Sequence, residues 1–425
     1  MQRYEKYKDS GVDWIGEIPK DWEIVRFKRL FKEKKKTTNA SLNSGSISFG
    51  EVVYKDDEKI TEATKLSYQV LNEGEFLLNP LNMNYDLKSL RIGLSAINVV
   101  VSSGYIILQS KKGLNKNYYR WLLRMYDIVF MKTLGAGVRQ TINYNDLADS
   151  HLVFPSLDEQ QTIATFLDDK TAKIDQTIAN KQKEIELLKE RRQILIQKAV
   201  TKGLDDSVLF KDSGVDWIGE IPEHWEVPKL KHISLFIYDG THGSYPRVDV
   251  GYRLLSVRNI IDNKFVFRDD DSMVSEKDFK DISSKFLIIE GDIQLAIVGA
   301  TLGKVALVKD LEEKIVTQRS LCSIRVNNKI LNTFLFFYLQ SKSYQSFLWN
   351  NTGFSAQPGI YLGTIQNSNL ALPSKEEQLQ IVSYLEKMEE KISKAILLKQ
   401  QEIEKLREYK TVLIDNVVTG KMRVS

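Results

Sequence analysis

A block of twelve residues, Lys8-Asp9-Ser10-Gly11-Val12-Asp13-Trp14-Ile15-Gly16-Glu17-Ile18-Pro19, recurs without a change as Lys211 to Pro222, and identity resumes at Trp22-Glu23 and Trp225-Glu226. A chain that writes the same local sequence twice is expected to fold the same local structure twice, so the repeat constrains the fold before any single motif does. A second matching pair lies near the middle and the end. Leu152-Val153-Phe154-Pro155-Ser156 with Glu159-Gln160 and Ile163 corresponds to Leu370-Ala371-Leu372-Pro373-Ser374 with Glu377-Gln378 and Ile381. The alignment then runs without a gap to Val200-Thr201 and Val418-Thr419. Between these frames similarity disappears: little of Phe31 to Asp149 aligns with Phe236 to Asn369. Two constant frames around two different inserts imply one architecture applied to two different targets.

The chain of 425 residues allows two or three domains, each large enough for its own core. Its 42% hydrophobic and 27% charged residues are an ordinary globular balance, and no apolar run is long enough to span a membrane. The opening residues Met1-Gln2-Arg3-Tyr4-Glu5-Lys6 lack the apolar core of a signal peptide, so a cytoplasmic location is expected. The lone Cys322, in the apolar run Ser320 to Ile324, reads as a buried thiol. A net charge of +4 is compatible with nucleic acid without arguing strongly for it. Positive charge gathers locally at Arg26, Lys28, Arg29, Lys32, Lys34, Lys35 and Lys36, where a solvated face is the default reading.

Each rear segment reads as a long helix. From Thr171 to Val200 an apolar stripe at Ile174, Ile178, Ile185, Leu188 and Leu195 keeps three- and four-residue spacing, and its copy is Ile392, Ile396, Ile403, Leu406 and Leu413. Gly203 and Gly420 stand where each helix should stop. About thirty residues make a rod on the order of 45 Å. The two rods are expected to pack antiparallel as a coiled coil. Lys181 and Lys399, then Arg192 and Lys410, interrupt the seam at matching places. Either they snorkel to water or they fix the register.

The inserts read as α+β domains. Phe76 to Leu78, Val99 to Val101, Tyr105 to Leu108, Phe286 to Ile289 and Asp292 to Val298 read as strands; Asn117 to Met131 and Leu331 to Trp349 read as helical. Catalytic motifs fail. Gly299-Ala300-Thr301-Leu302-Gly303-Lys304 is one residue short of a phosphate-binding loop and reads as a tight turn between strands. Asn79-Pro80-Leu81-Asn82 lacks the second proline and the aromatic ring of an adenine methyltransferase motif. Glu312-x-Lys314 with Asp292 is a weak nuclease candidate, and His151, His224, His232 and His242 have no zinc-ligand spacing. No catalytic site and no metal site are assigned.

The paired Gly-x-Asp-Trp-Ile-Gly-Glu-Ile-Pro-x-x-Trp-Glu openings at Gly11 and Gly214, the paired Pro-Ser-x-x-Glu-Gln segments at Pro155 and Pro373, and the long helices resemble the specificity subunit of a type I restriction-modification system. Asp239-Gly240-Thr241-His242-Gly243, Leu255 to Ile260 and Gly291-Asp292-Ile293 add to the likeness. The resemblance implies an α+β fold with two similar target recognition domains, residues 1–156 and 204–374, joined by spacer helices at 157–203 and 375–425 in a pseudo-twofold repeat. Each domain would read one half of a split, asymmetric site on double-stranded DNA. A rod on the order of 45 Å would then set the half-sites roughly 13 base pairs apart at about 3.4 Å each. The implied partners are two modification (methyltransferase) subunits using S-adenosylmethionine and, in a full complex, two restriction subunits using ATP and Mg.

Direct reading needs Arg or Lys for guanine, Asn or Gln for adenine and small hydroxyls on loops. In the first insert the candidates are Asn82, Asn84, Lys88, Arg91, Arg139 and Gln140; in the second they are His242, Ser244, Arg247, Arg258, Asn259, Thr301, Lys304 and Gln357. Trp14, Trp22, Trp217 and Trp225 are either partner anchors or frame packing. Two other functions compete: a coiled-coil scaffold with two protein-binding domains, whose binding should ignore salt, and a metal-dependent nuclease, which should cut DNA unaided and lose cutting in Asp292→Ala.

Overall fold

The computed structural model describes residues 2–81, 90–131, 134, 141–353 and 358–424, leaving aside the side chain of Lys59. It divides into two compact units, residues 1–181 with 401–425, and residues 182–400. The first unit joins both ends of the chain, and the second is the continuous stretch between them. Each owns one front motif and one rear motif, together with the end of the long helix that belongs to the other repeat.

The duplicated front motif folds the same way in both units. Tyr7–Asp9 pairs antiparallel with Glu17–Pro19, and Phe210–Asp212 pairs with Glu220–Pro222 in the same register. Between the strands Asp9 accepts from the Gly11 amide and Ser10 from the Val12 amide; Asp212 and Ser213 repeat both bonds to Gly214 and Val215. Gly11, Gly16, Gly214 and Gly219 all have φ near the left-handed region, 69°, 74°, 71° and 73°. This turn therefore needs its glycines, and its Asp and Ser, at fixed places.

The rear motif closes on the front one. Ser156 and Ser374 accept from the amides of Glu159 and Glu377 at the start of the long helices, as N-cap residues do. The two glutamates then reach back, Glu159 accepting from the Trp22 indole at 3.1 Å and Glu377 from the Trp225 indole at 3.0 Å. Burial pushes the Glu377 carboxyl up, but hydrogen bonds from His224, Trp225 and Ser374 outweigh it and hold the group below its ordinary value. Gln160 and Gln378 are fully buried. Each donates to the preceding proline carbonyl and accepts from a backbone amide at the head of the insert helix, Asn115 or Leu331. Gln378→Leu strands those backbone groups and is expected to cost about 1–3 kcal/mol, read as a lower urea midpoint; an unchanged midpoint would show that the amide is dispensable.

Trp22 and Trp225 are 1% exposed, so the even choice between partner anchor and core packing resolves to core for this pair. Trp14 and Trp217 are half-buried against Tyr126 and Phe130, and Tyr344 and Phe347.

The long helices run Leu157–Lys202, 46 residues, and Lys375–Val418, 44 residues. The apolar stripe alone predicted about thirty residues; the rear motif adds the rest, so the first helix extends on the order of 69 Å. All ten predicted seam residues are buried or half-buried. In the first unit Lys181 pairs with Glu402 at 2.5 Å and Lys410 with Asp175 at 2.6 Å; in the second Arg192 pairs with Glu389 at 2.6 Å, and Lys399 with Glu184. These pairings run antiparallel. All four seam interruptions are thus ion pairs between the helices, which favours the register reading, although exposed pairs contribute only about 0–1 kcal/mol each.

The first insert carries a four-stranded sheet in the order Phe31–Glu33, Ile106–Ser110, Phe76–Leu78, Ile92–Leu94. The second carries six strands: Ser234–Asp239, Leu321–Val326, Ile293–Ala296, Val305–Leu307, Lys264–Phe265, Ile260–Ile261. The first four strands of each list correspond. One face of each sheet packs on an insert helix and the frame, forming the two main cores.

Three expectations shift. Phe286 to Ile289 is not a strand: Asp292 accepts its Ile289 amide and Arg325 donates to its Leu287 carbonyl, so side chains replace the ladder. Leu331 to Trp349 is two helices, Asn332–Leu339 and Lys342–Asn350, because Ser341 caps the second. The strand pair His151–Phe154 with Glu23–Arg26 shrinks in the second copy to bridges at Glu226 and Lys229, where Pro228 supplies no amide.

Candidate nucleic-acid interface

Each sheet ends in a rim of loops. In the second unit the rim is stitched by backbone bonds: Thr241 exchanges with Thr317 and Arg319, Ser320 accepts from Ile297, Ile297 accepts from Ile360, and Gly299 donates to Pro358. The loops after Asp239, Thr317, Ala296 and Asn351 are therefore neighbours, though far apart in sequence.

His242, Ser244 and Arg247 are exposed on the first of these loops. The His242 imidazole meets the Asp239 carboxylate at 2.5 Å, which fixes its direction, and Arg247 donates to the Tyr245 carbonyl. Gly299 to Lys304 is the turn joining the antiparallel strands Ile293–Ala296 and Val305–Leu307, as its departure from a phosphate loop predicted. Thr301 there is half-buried. Lys304 is exposed but lines a hollow with Gln193, Gln340 and Lys342, on the helix side of the domain.

Two sequence candidates are braced by the protein itself, one buried and one exposed. Asn259 is fully buried, donating to Val266 and to Asp271 and accepting from the Ser256 amide. Arg258 lies beside it, paired with Asp270 and Asp271. Together they tie the loop 268–271 to the segment 256–259, and neither offers a free base-reading group in this arrangement. Arg91 in the first unit is likewise 9% exposed, donating to the Leu81 carbonyl while its amide bonds Asp127. Asn82, Asn84, Lys88, Arg139, Gln140 and Gln357 lie outside the described residues.

The basic run near the start of the first insert is largely spent on the protein itself. Asp149 holds Arg26 and Lys28, Lys34 forms a buried pair with Glu75 at 2.6 Å, and Lys36 donates to Ser67. Arg29, Lys32 and Lys35 remain exposed. Cys322 is buried, and burial raises its thiol pKa far above the ordinary value. Asp292, the nuclease candidate, is gripped by Arg325 through two bonds of 2.8 Å, and among the described residues no group of three His, Cys, Asp or Glu is placed to hold a metal ion. No helix among those residues is long and apolar enough to cross a membrane.

One rim residue escaped the sequence reading. Arg319 is exposed at the point where the chain leaves the strand Ile315–Thr317 for Leu321–Val326. The polar interruption Gln318-Arg319-Ser320 between the runs Ile315-Val316-Thr317 and Leu321 to Val326 was the available signal.

Comparison with known proteins agrees with this architecture. Residues 19–187 and 257–405 match the type I restriction modification DNA specificity domain family. The chain is 27% identical over 437 residues to the type I restriction enzyme MjaVIII specificity subunit of Methanocaldococcus jannaschii, covering 100% of this chain and 98% of that one. It is 28% identical over 282 residues to the EcoBI specificity subunit of Escherichia coli, covering 64% and 59%. In fold it is similar to a chain of a type I R-M system solved for its complex assembly, with TM-score 0.68, 14% identity and coverage of 95% and 99%. The HsdS subunit of Thermoanaerobacter tengcongensis gives TM-score 0.52 at 13% identity, covering 95% and 98%. The two inserts, their repeated frames and their long helices thus make the chain a member of the type I restriction-modification DNA specificity family.

Proposed function

We propose that this protein is the sequence-reading subunit of a type I restriction-modification complex, each insert domain reading one half of a bipartite, asymmetric DNA site through its loop rim. The observation that carries this is the pairing of identical frames with unlike inserts: the same turn, latch and helix cap occur twice, whereas the sheets they carry have four and six strands. Identical frames suit identical partners and unlike rims suit unlike half-sites. In this reading two modification subunits dock on the frames and helices and supply adenine methylation with S-adenosylmethionine. Two restriction subunits with ATP and Mg join them, in the cytoplasm. The long helices act as the spacer that fixes the gap between half-sites, and this chain carries the address while its partners carry the chemistry.

Deleting the gene is expected to remove N6-methyladenine from one split motif with two unlike halves and a fixed gap, read by single-molecule methylation sequencing of the host genome. An unchanged pattern in a host that expresses both this chain and the modification subunit would sink the reading.

A further inference from the structure

Six arginines lie in residues 204–374 of the second unit, and their commitments differ. Arg253, Arg258, Arg268 and Arg325 each sit on a carboxylate: Asp271 and Glu313, Asp270 and Asp271, Asp270, and Asp292. Arg247 and Arg319 make no ion pair among the described residues. Both stand on the loop rim, Arg319 bonded through its amide to Thr241, at the start of the loop that carries Arg247.

Their settings are unlike. The backbone around Arg319 is pinned: Gln318 donates to Leu255 at 2.9 Å, Arg319 to Thr241 at 3.1 Å, Leu321 to Gln318 at 3.0 Å, and Ser320 accepts from Ile297 at 3.0 Å. The guanidinium thus projects from a fixed crossing between two sheets. A planar fork on a rigid base is what bidentate recognition of guanine O6 and N7 demands, because little freedom is lost on contact. Arg247 belongs instead to the loop 241–249, tied down beside it by the Val248 amide to Met273, and its side chain turns back onto the Tyr245 carbonyl. An exposed charge with part of its fork already taken by a carbonyl suits a phosphate, whose position carries no sequence.

We propose that Arg319 is a specificity-determining residue of the second domain, reading one guanine of its half-site, and that Arg247 holds a backbone phosphate of the same half-site. This rests on the DNA-reading assignment above. The test expresses Arg319→Ala, Arg319→Lys and Arg247→Ala with the partner subunits in a host lacking the gene, and sequences the methylated motif. Arg319→Ala is expected to relax discrimination at a single G·C pair of one half-site by roughly 5- to 150-fold, leaving the other half-site unchanged. Arg319→Lys keeps the charge but not the fork and should restore only part of it. Arg247→Ala should lower methylation at all sites evenly, keep the motif, and reduce the slope of log affinity against log salt by about one for the purified complex on a motif duplex.

A full motif in Arg319→Ala, whether methylation is normal or evenly weakened, overturns the base-reading role. If the unaltered complex shows no salt-dependent preference for any motif, the parent assignment fails and this one with it. That result is distinct, because it appears before any substitution is made. Arg319 is exposed, so thermal melting of the variants should match the parent chain.

Discussion

Residues 1–203 expressed alone are expected to be a dimer in solution. The front frame of the first unit is not completed by its own repeat: Leu413, Ile414, Val417 and Val418, at the end of the second long helix, are buried in the same core as Ile15, Ile18 and Trp22. Their counterparts in the first repeat, Ile196, Ala199 and Val200, are buried with Ile218, Ile221 and Trp225 in the second unit. A fragment ending at Gly203 therefore has an empty place on its front frame and a helix end with no place to dock. Because the front motif is duplicated residue for residue, a second copy can supply that end. Burying an Ile or Val side chain contributes about 1.5–3 kcal/mol, so leaving the whole group exposed on a monomer is costly. Light scattering should give twice the fragment mass. With the partner subunits the dimer should methylate a site built from two copies of the first half-motif. A folded monomer would mean that the frame closes without a helix end, and would remove the packing argument for the exchanged helix ends.

What the sequence made legible follows from where its information is local. The turn at Ser10 to Gly16 and the helix cap at Ser156 and Ser374 use bonds between residues two or three apart, so their residue types appear in a readable order. The seam followed from period alone. The helix starts expected at 157 and 375 are those observed, Leu157 and Lys375, although the stripe alone began later, because the first turns bury residues such as Ile163 and Leu167 in the frame's core. The rim was half legible. Asn, Arg and Gly on loops are equally the vocabulary of bracing, and whether Arg258 faces a base or Asp270 depends on a contact twelve residues away that no spacing rule announces. Arg319 escaped for the converse reason: it became notable only once four of the six arginines of its domain had been given carboxylate partners.

Trp225→Ala is expected to be the most destabilising single substitution in the second frame, costing about 3–5 kcal/mol. The ring is 1% exposed and serves three partners at once. Its body fills the core with Ile218, Ile221 and Val200, its indole nitrogen donates to Glu377, and its edge lies 3.3 Å from where a Cβ on Gly203 would stand. Removing it opens a cavity, leaves the Glu377 oxygen it shared with His224 to the imidazole alone, and loosens the helix end that Gly203, at φ 78°, turns back onto the frame. Trp217→Ala, at a half-buried ring stacked on Phe347, should cost clearly less despite the same residue type and the same conservation of sequence between the repeats. The comparison separates two explanations of the repeat. If the tryptophans were kept as anchors for a bound subunit, Trp217→Ala would weaken assembly and Trp225→Ala would leave the free chain stable. Urea unfolding followed by far-ultraviolet circular dichroism decides it: a loss below about 0.5 kcal/mol in Trp225→Ala would contradict the latch, since that is the range of ordinary surface substitutions.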